Sequence, residues 1–89
     1  SRGDIKESYS TAVEEGWVDY DGSIGNAESG ATYANDDAKE LYLMVWSYSY
    51  VTVSGGKGSS ASVDWDAGKK LTFPTRSPLL ENAYLRIKL

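Results

Sequence analysis

The chain has 89 residues, which suits one small domain whose folding removes only about two thirds of the unfolded surface from water. It contains no cysteine and no histidine, so disulfides, thiolate or imidazole metal sites, a Ser-His-Asp triad and an imidazole general base are all excluded. The net charge of −4 argues against a nucleic-acid partner.

The charge is unevenly spread. Residues 1–40 hold ten acidic and three basic side chains, and residues 41–89 hold three acidic and six basic. This reads either as acidic loops gathered at one end or as faces that attract between neighbouring copies. Seven Tyr and three Trp against one Phe make a polar-tipped aromatic set, fitting a strand-and-loop binding surface better than a helical bundle. No apolar run approaches the roughly 20 residues of a membrane span, so membrane insertion is not expected. A small core without covalent staples leans readily on a partner chain, which makes an oligomer the first expectation.

In chain order, Asp4–Tyr9 alternates imperfectly and predicts a first strand with Ile5 and Tyr9 turned inward. The linker 10–16 carries one apolar residue, Val13. Trp17–Tyr20 predicts a second strand with Trp17 as its large anchor, stopped by Asp21-Gly22. Residues 21–33 read as a long loop. Gly22, Gly25 and Gly30 could cradle a phosphate, but the following helix starts too late and Glu28 sits inside, so close packing and tight turns are the better reading.

Asn35-Asp36-Asp37 opens a helix, with Asp36 or Asp37 as cap and Asp37 with Glu40 at capping-box spacing. Ala38, Leu41, Tyr42, Val45 and Trp46 form its buried stripe, and Leu43 and Met44 lie off that stripe, facing outward or toward another subunit. From Ser47 to Val53 the period changes to two, which puts Val51 and Val53 inward and Tyr48 and Tyr50 outward if the segment is a strand. Residues 54–60 look like a mobile loop with Lys57 as its one charge. Residues 61–70 are ambiguous, and 62–67 could be a short helical turn ended by Gly68. Leu71 and Phe73 face inward on a short strand ended by Pro74, and Ala83–Leu89 alternates as the closing strand.

Three constellations could carry chemistry. Asp19 with Asp21, and Asp64 with Asp66 around Trp65, pair carboxylates as a glycoside site does, although Asp-x-Asp at a turn more often serves the turn. Asp19, Asp21 and Ser23 alternate as oxygen donors, but a calcium loop needs a closing Glu and Glu28 is at the wrong distance. Tyr48, Tyr50 and Trp65 sit in polar surroundings and could offer flat faces to sugar rings; the alternative is a core Trp65 and ordinary strand tyrosines.

An ordered set of short motifs resembles the bacteriophage tail-collar domain of tail fibres. It runs through Gly3-Asp4-Ile5-Lys6, Gly16-Trp17, Asp21-Gly22-Ser23-Ile24-Gly25-Asn26 and Ser29-Gly30-Ala31. It continues with Ala34-Asn35, Leu41-Tyr42, Trp46, residues 53–61 (VSGGKGSSA), Asp64, Ala67-Gly68-Lys69 and Pro74. Residues 74–78 (PTRSP) depart from the family's usual continuation, and the Gly- and His-rich section that often follows is absent. The resemblance implies a domain near the distal end of a homotrimeric tail fibre in the virion. Such a domain binds a host surface glycan (lipopolysaccharide or capsule) or an outer-membrane protein, with no catalytic residues, metal or cofactor.

The combined expectation is one α+β domain over residues 1–89, with short, mainly antiparallel strands, one helix near 36–47 and long Gly-rich loops. Tyr48, Tyr50 and Trp65 are the expected receptor contacts, and Leu43 and Met44 the expected subunit contacts. The competing expectation is a structural module that ends or trimerises a fibre while recognition lies elsewhere.

Overall fold

A computed structural model describes residues 2–10, 14–19, 22–73 and 84–89. Expectations for Val13, Tyr20, Asp21, Pro74, Pro78 and the first part of the closing strand lie outside these residues.

The closing strand organises the first sheet. β7 (Tyr84–Lys88) lies between β1 (Ile5–Ser8) and β2 (Trp17–Asp19), antiparallel to both. Its register sets Ile87 opposite both Ile5 and Val18. Ile87 and Val18 are buried, whereas Ile5, on the other edge strand of the sheet, stays 46% exposed. Tyr9 is exposed too, so neither residue expected inward on the first strand is buried, although Ile5 shares the face of Ile87. Trp17 pairs with Lys88 on the opposite face from Val18, where it is half-buried. The inward anchor of β2 is therefore Val18 and not Trp17.

The second sheet has the order β4-β3-β6-β5, from β3 (Ser23–Gly25), β4 (Tyr33–Ala34), β5 (Thr52–Val53) and β6 (Leu71–Thr72). Ile24, Leu71 and Val53 stand side by side across three strands and form a buried apolar row. Among the described residues every strand pairing is antiparallel except β3 with β4.

The segment 21–33, expected as loop, thus contains one strand and leads directly into another. Thr32 and Ser23 explain why. Ser23 N–H donates to Thr32 Oγ1 at 2.7 Å, Thr32 N–H donates to Ser23 Oγ at 3.1 Å, and Thr32 Oγ1 donates to Ser23 O at 2.9 Å. These bonds stitch β3 to the approach of β4 without any hydrophobic alternation that a sequence pattern would reveal. A Cβ at Gly25 would stand 2.4 Å from Ser29 Oγ, so close packing is the use of that glycine.

Two helices form where one was expected, the first packing on β3 and the second packing on the first. A 3-10 turn (Asp36–Ala38) runs into α1 (Lys39–Val45). The cap is Asn35, whose side-chain oxygen accepts from Asp37 N–H at 3.0 Å, and not Asp36 or Asp37. Glu40 pairs with Arg2 instead of closing a capping box. The predicted stripe is buried at Ala38, Leu41, Tyr42 and Val45 and half-buried at Trp46. α2 (Ala61–Asp66) takes its cap from Ser60 Oγ, which accepts from Val63 N–H at 3.3 Å, and stops at Gly68 with φ +77°. The region 47–53 is a turn followed by a two-residue strand, yet its valines point in and its tyrosines out.

The apolar core closes within one chain. Val18, Ile24, Ala38, Leu41, Tyr42, Val45, Val51, Val53, Trp65, Leu71, Phe73 and Ile87 form a single buried cluster. The radius of gyration is 12.4 Å, against about 12 Å for a compact chain of this length. Single-chain packing therefore supplies the core that the bare length led one to seek from a partner.

Candidate functional site

The expected receptor-contact residues separate into a surface pair and a core residue. Tyr48 and Tyr50, in the turn after α1, are 36% and 38% exposed, with ring centroids 5.6 Å apart and planes tilted by 48°. Trp65 is only 5% exposed and packs edge-on against Tyr42 at 5.1 Å. Its indole is used in the core, where it seats α2 against α1, so its placement does not suit a stacking contact. Leu43 and Met44 are 39% and 43% exposed on the outer face of α1, with Met44 Sδ lying over Gly3.

A buried carboxylate fixes the turn that carries the tyrosines. Asp64 is fully buried, and its Oδ2 accepts from Gly58 N–H at 2.9 Å and from Trp46 Nε1–H at 2.8 Å. Its Oδ1 lies 3.2 Å from Lys69 Nζ, which also donates to Gly56 O at 3.2 Å. The Gly58 N–H leads in holding the Asp64 carboxyl below the usual carboxylate range. Burial pushes the other way, and the Trp46 indole and Lys69 ammonium add to the lowering. Lys57 donates to Tyr48 O at 2.8 Å and stands 5.6 Å from the Trp46 ring centroid. The 54–60 segment, which looks mobile in sequence, is thus tied to the domain at Gly56, Lys57 and Gly58. Lys57 fastens the tyrosine turn.

Burial, together with the Asp64 charge, pushes the Tyr42 hydroxyl up to about 12. That hydroxyl donates to Lys69 O at 3.1 Å. A raised folded value means that the neutral phenol's contribution to stability is complete below pH ~10 and is lost as pH rises through about 12. Ultraviolet titration should show Tyr42 among the late-ionising tyrosines, and Tyr42→Phe should remove its step.

A groove of about 490 Å³ opens on the side of the first sheet. It is lined by Glu14, Glu15, Gly16, Trp17, Tyr33, Asp37, Lys88 and Leu89. Lys6 Nζ lies 4.2 Å from the Trp17 ring centroid and Lys88 Nζ 5.6 Å from it. Lys6 also pairs with Glu14, and Lys6 with Arg86 beyond it holds the Glu14 carboxyl below its usual range against the effect of burial. Tyr33 donates its hydroxyl to Asp37 Oδ2 at 2.9 Å, and this bond together with burial raises the phenol's pKa. A second, more polar pocket of about 330 Å³ is bordered by Asn26, Glu28, Asp36, Lys39, Trp65 and Asp66.

Trp17, Tyr33, Glu15 and Asp37 were not singled out from the sequence as site residues. One signal was present: Glu14-Glu15-Gly16-Trp17 places carboxylates beside an aromatic, as Asp64-Trp65-Asp66 does. Lys88 reaches Trp17 through a strand pairing remote in sequence, and Tyr33, from the other sheet, meets it only in the groove lining.

Asp64 is engaged by Gly58, Trp46 and Lys69 while Asp66 is exposed, so these two carboxylates do not face each other across a cleft. Among the described residues no three His, Cys, Asp or Glu side chains gather where a metal ion could bind, and no helix is long and apolar enough to cross a membrane. Comparison with protein-family models, curated proteins and solved structures finds no match.

Proposed function

We propose that this chain is the distal domain of a bacteriophage tail fibre. It acts in the virion as part of a homotrimer and binds the bacterial surface during adsorption, through lipopolysaccharide, capsule or an outer-membrane protein. The ordered motifs spread from Gly3 to Pro74 support the family side of this reading. The observation that carries the binding side is the Tyr48–Tyr50 pair. Two amphipathic rings stand half in solvent on a turn held by Lys57, and α1 and the Asp64 network lie beneath it. A surface fixed in this way binds with little ordering cost. The domain holds its receptor and does not transform it, in keeping with a main buried carboxylate engaged in structural bonds.

Leu43 and Met44, apolar and outward on α1, are the residues proposed to meet neighbouring subunits. The double variant Tyr48→Ala/Tyr50→Ala should lower retention of the labelled domain on intact bacteria by roughly tenfold, the effect of losing about 1.4 kcal/mol of aromatic contact. Its fold should be unchanged by circular dichroism. If the isolated domain is retained by no cells while a full fibre is, the reading changes to a module that ends or trimerises the fibre.

A further inference from the structure

We infer that the groove between β2, β4 and β7 is a sugar subsite and that its occupant is an uncharged pyranose of a surface glycan. This deepens the receptor-binding reading and rests on it. Trp17 and Tyr33 supply apolar ring surface in the lining, which suits the C–H faces of a sugar. Polar groups of both kinds converge there: the carboxylates of Glu15 and Asp37 accept hydroxyl protons, and the Lys88 ammonium donates. The volume falls within the range of small-ligand pockets.

Charge selects the class of ligand. An anionic sugar would bring its carboxylate or phosphate against Glu14, Glu15 and Asp37. A cationic one would meet Lys88 and, over the same indole, Lys6, which already occupies Glu14. A neutral polyol meets neither repulsion and can use donors and acceptors together. The Tyr33 ring is also held in advance, since Asp37 fixes its hydroxyl, and Lys6, which lies over the indole, gives up that face when a sugar stacks there.

The test follows the indole N–H resonances of the isotope-labelled chain while sugars are added, with the Trp17 signal assigned through Trp17→Phe. Methyl glucoside, methyl galactoside, cellobiose and lactose are compared with glucuronic acid and glucosamine. At least one neutral sugar should move the Trp17 signal saturably, with both charged sugars at least tenfold weaker. Glu15→Gln and Asp37→Asn, at exposed carboxylates, should each weaken the neutral sugar severalfold in a folded protein. The inference is overturned if no neutral sugar moves the Trp17 signal, if a charged sugar binds as tightly, or if both carboxylate variants bind normally. Retention on cells is scored in parallel. Cell binding without any sugar response removes the groove and leaves the receptor reading. Sugar binding without cell retention removes the receptor reading and leaves the groove.

Discussion

Asp64→Ala should lower the unfolding free energy by about 3 kcal/mol, read as a shift in the urea midpoint at neutral pH. The loss is large because one carboxylate serves three donors. Without it, the Trp46 indole N–H and the Gly58 N–H lose their acceptor, and Lys69 loses its counter-charge. Against the roughly 4–13 kcal/mol expected of a domain this size, that is a substantial fraction. The effect also has a pH signature. The folded Asp64 carboxyl lies below its unfolded value, so its contribution is fully present above pH ~4 and is lost as pH falls through the depressed folded value. Glu14, lowered by Lys6, has the same sign. Asp64→Asn should therefore flatten part of the acid limb of the stability curve and leave the part owed to Glu14. The 54–60 segment should loosen as well, seen as faster amide exchange there, since Gly58 is that segment's bond to Asp64.

Leu41→Ala should cost about 3 kcal/mol, whereas Leu43→Ala, two residues along the same helix, should cost less than about 0.5 kcal/mol in the dilute single chain. Leu41 is fully buried in the cluster with Ile24, Tyr42 and Leu71, so removing its side chain leaves a cavity. Leu43 faces outward. The contrast separates two sources of stability. If the folded core belongs to one chain, the cost follows burial in that chain. If neighbours hold the fold together, Leu43→Ala with Met44→Ala should instead produce a large loss that depends on protein concentration. Under the proposed assembly, that double variant shifts mass from trimer toward monomer and leaves the monomer folded.

Helix α1 and the inward residues are more legible in the sequence than α2 or the strands. The stripe of α1 could be read because five apolar residues repeat at helical spacing. The inward Val51, Val53, Leu71 and Phe73 could be read from alternation. β3 and β4 could not, because one isoleucine among Ser and Gly carries no period and the strand is set by its partners Leu71 and Tyr33 and by the Ser23–Thr32 bonds. The burial expected of Ile5 failed for a related reason: alternation gives a face, which Ile5 shares with Ile87, but it does not say whether anything covers that face. At the candidate site, the outward tyrosines followed from period two. The placement of Trp65 did not, since polar neighbours in sequence do not reveal that Asp64 is itself buried beside it. The Trp17 groove needed the β2–β7 pairing, which joins residues some seventy positions apart.

The most direct test of the proposed function is retention of the fluorescently labelled, wild-type domain on a panel of intact bacterial strains. The same strains, stripped of surface polysaccharide and treated with protease, serve as controls. The account predicts saturable binding to a restricted set of strains, lost when the receptor layer is removed and reduced by Tyr48→Ala/Tyr50→Ala. Absence of retention on every strain, or equal retention on stripped and unstripped cells, would contradict it.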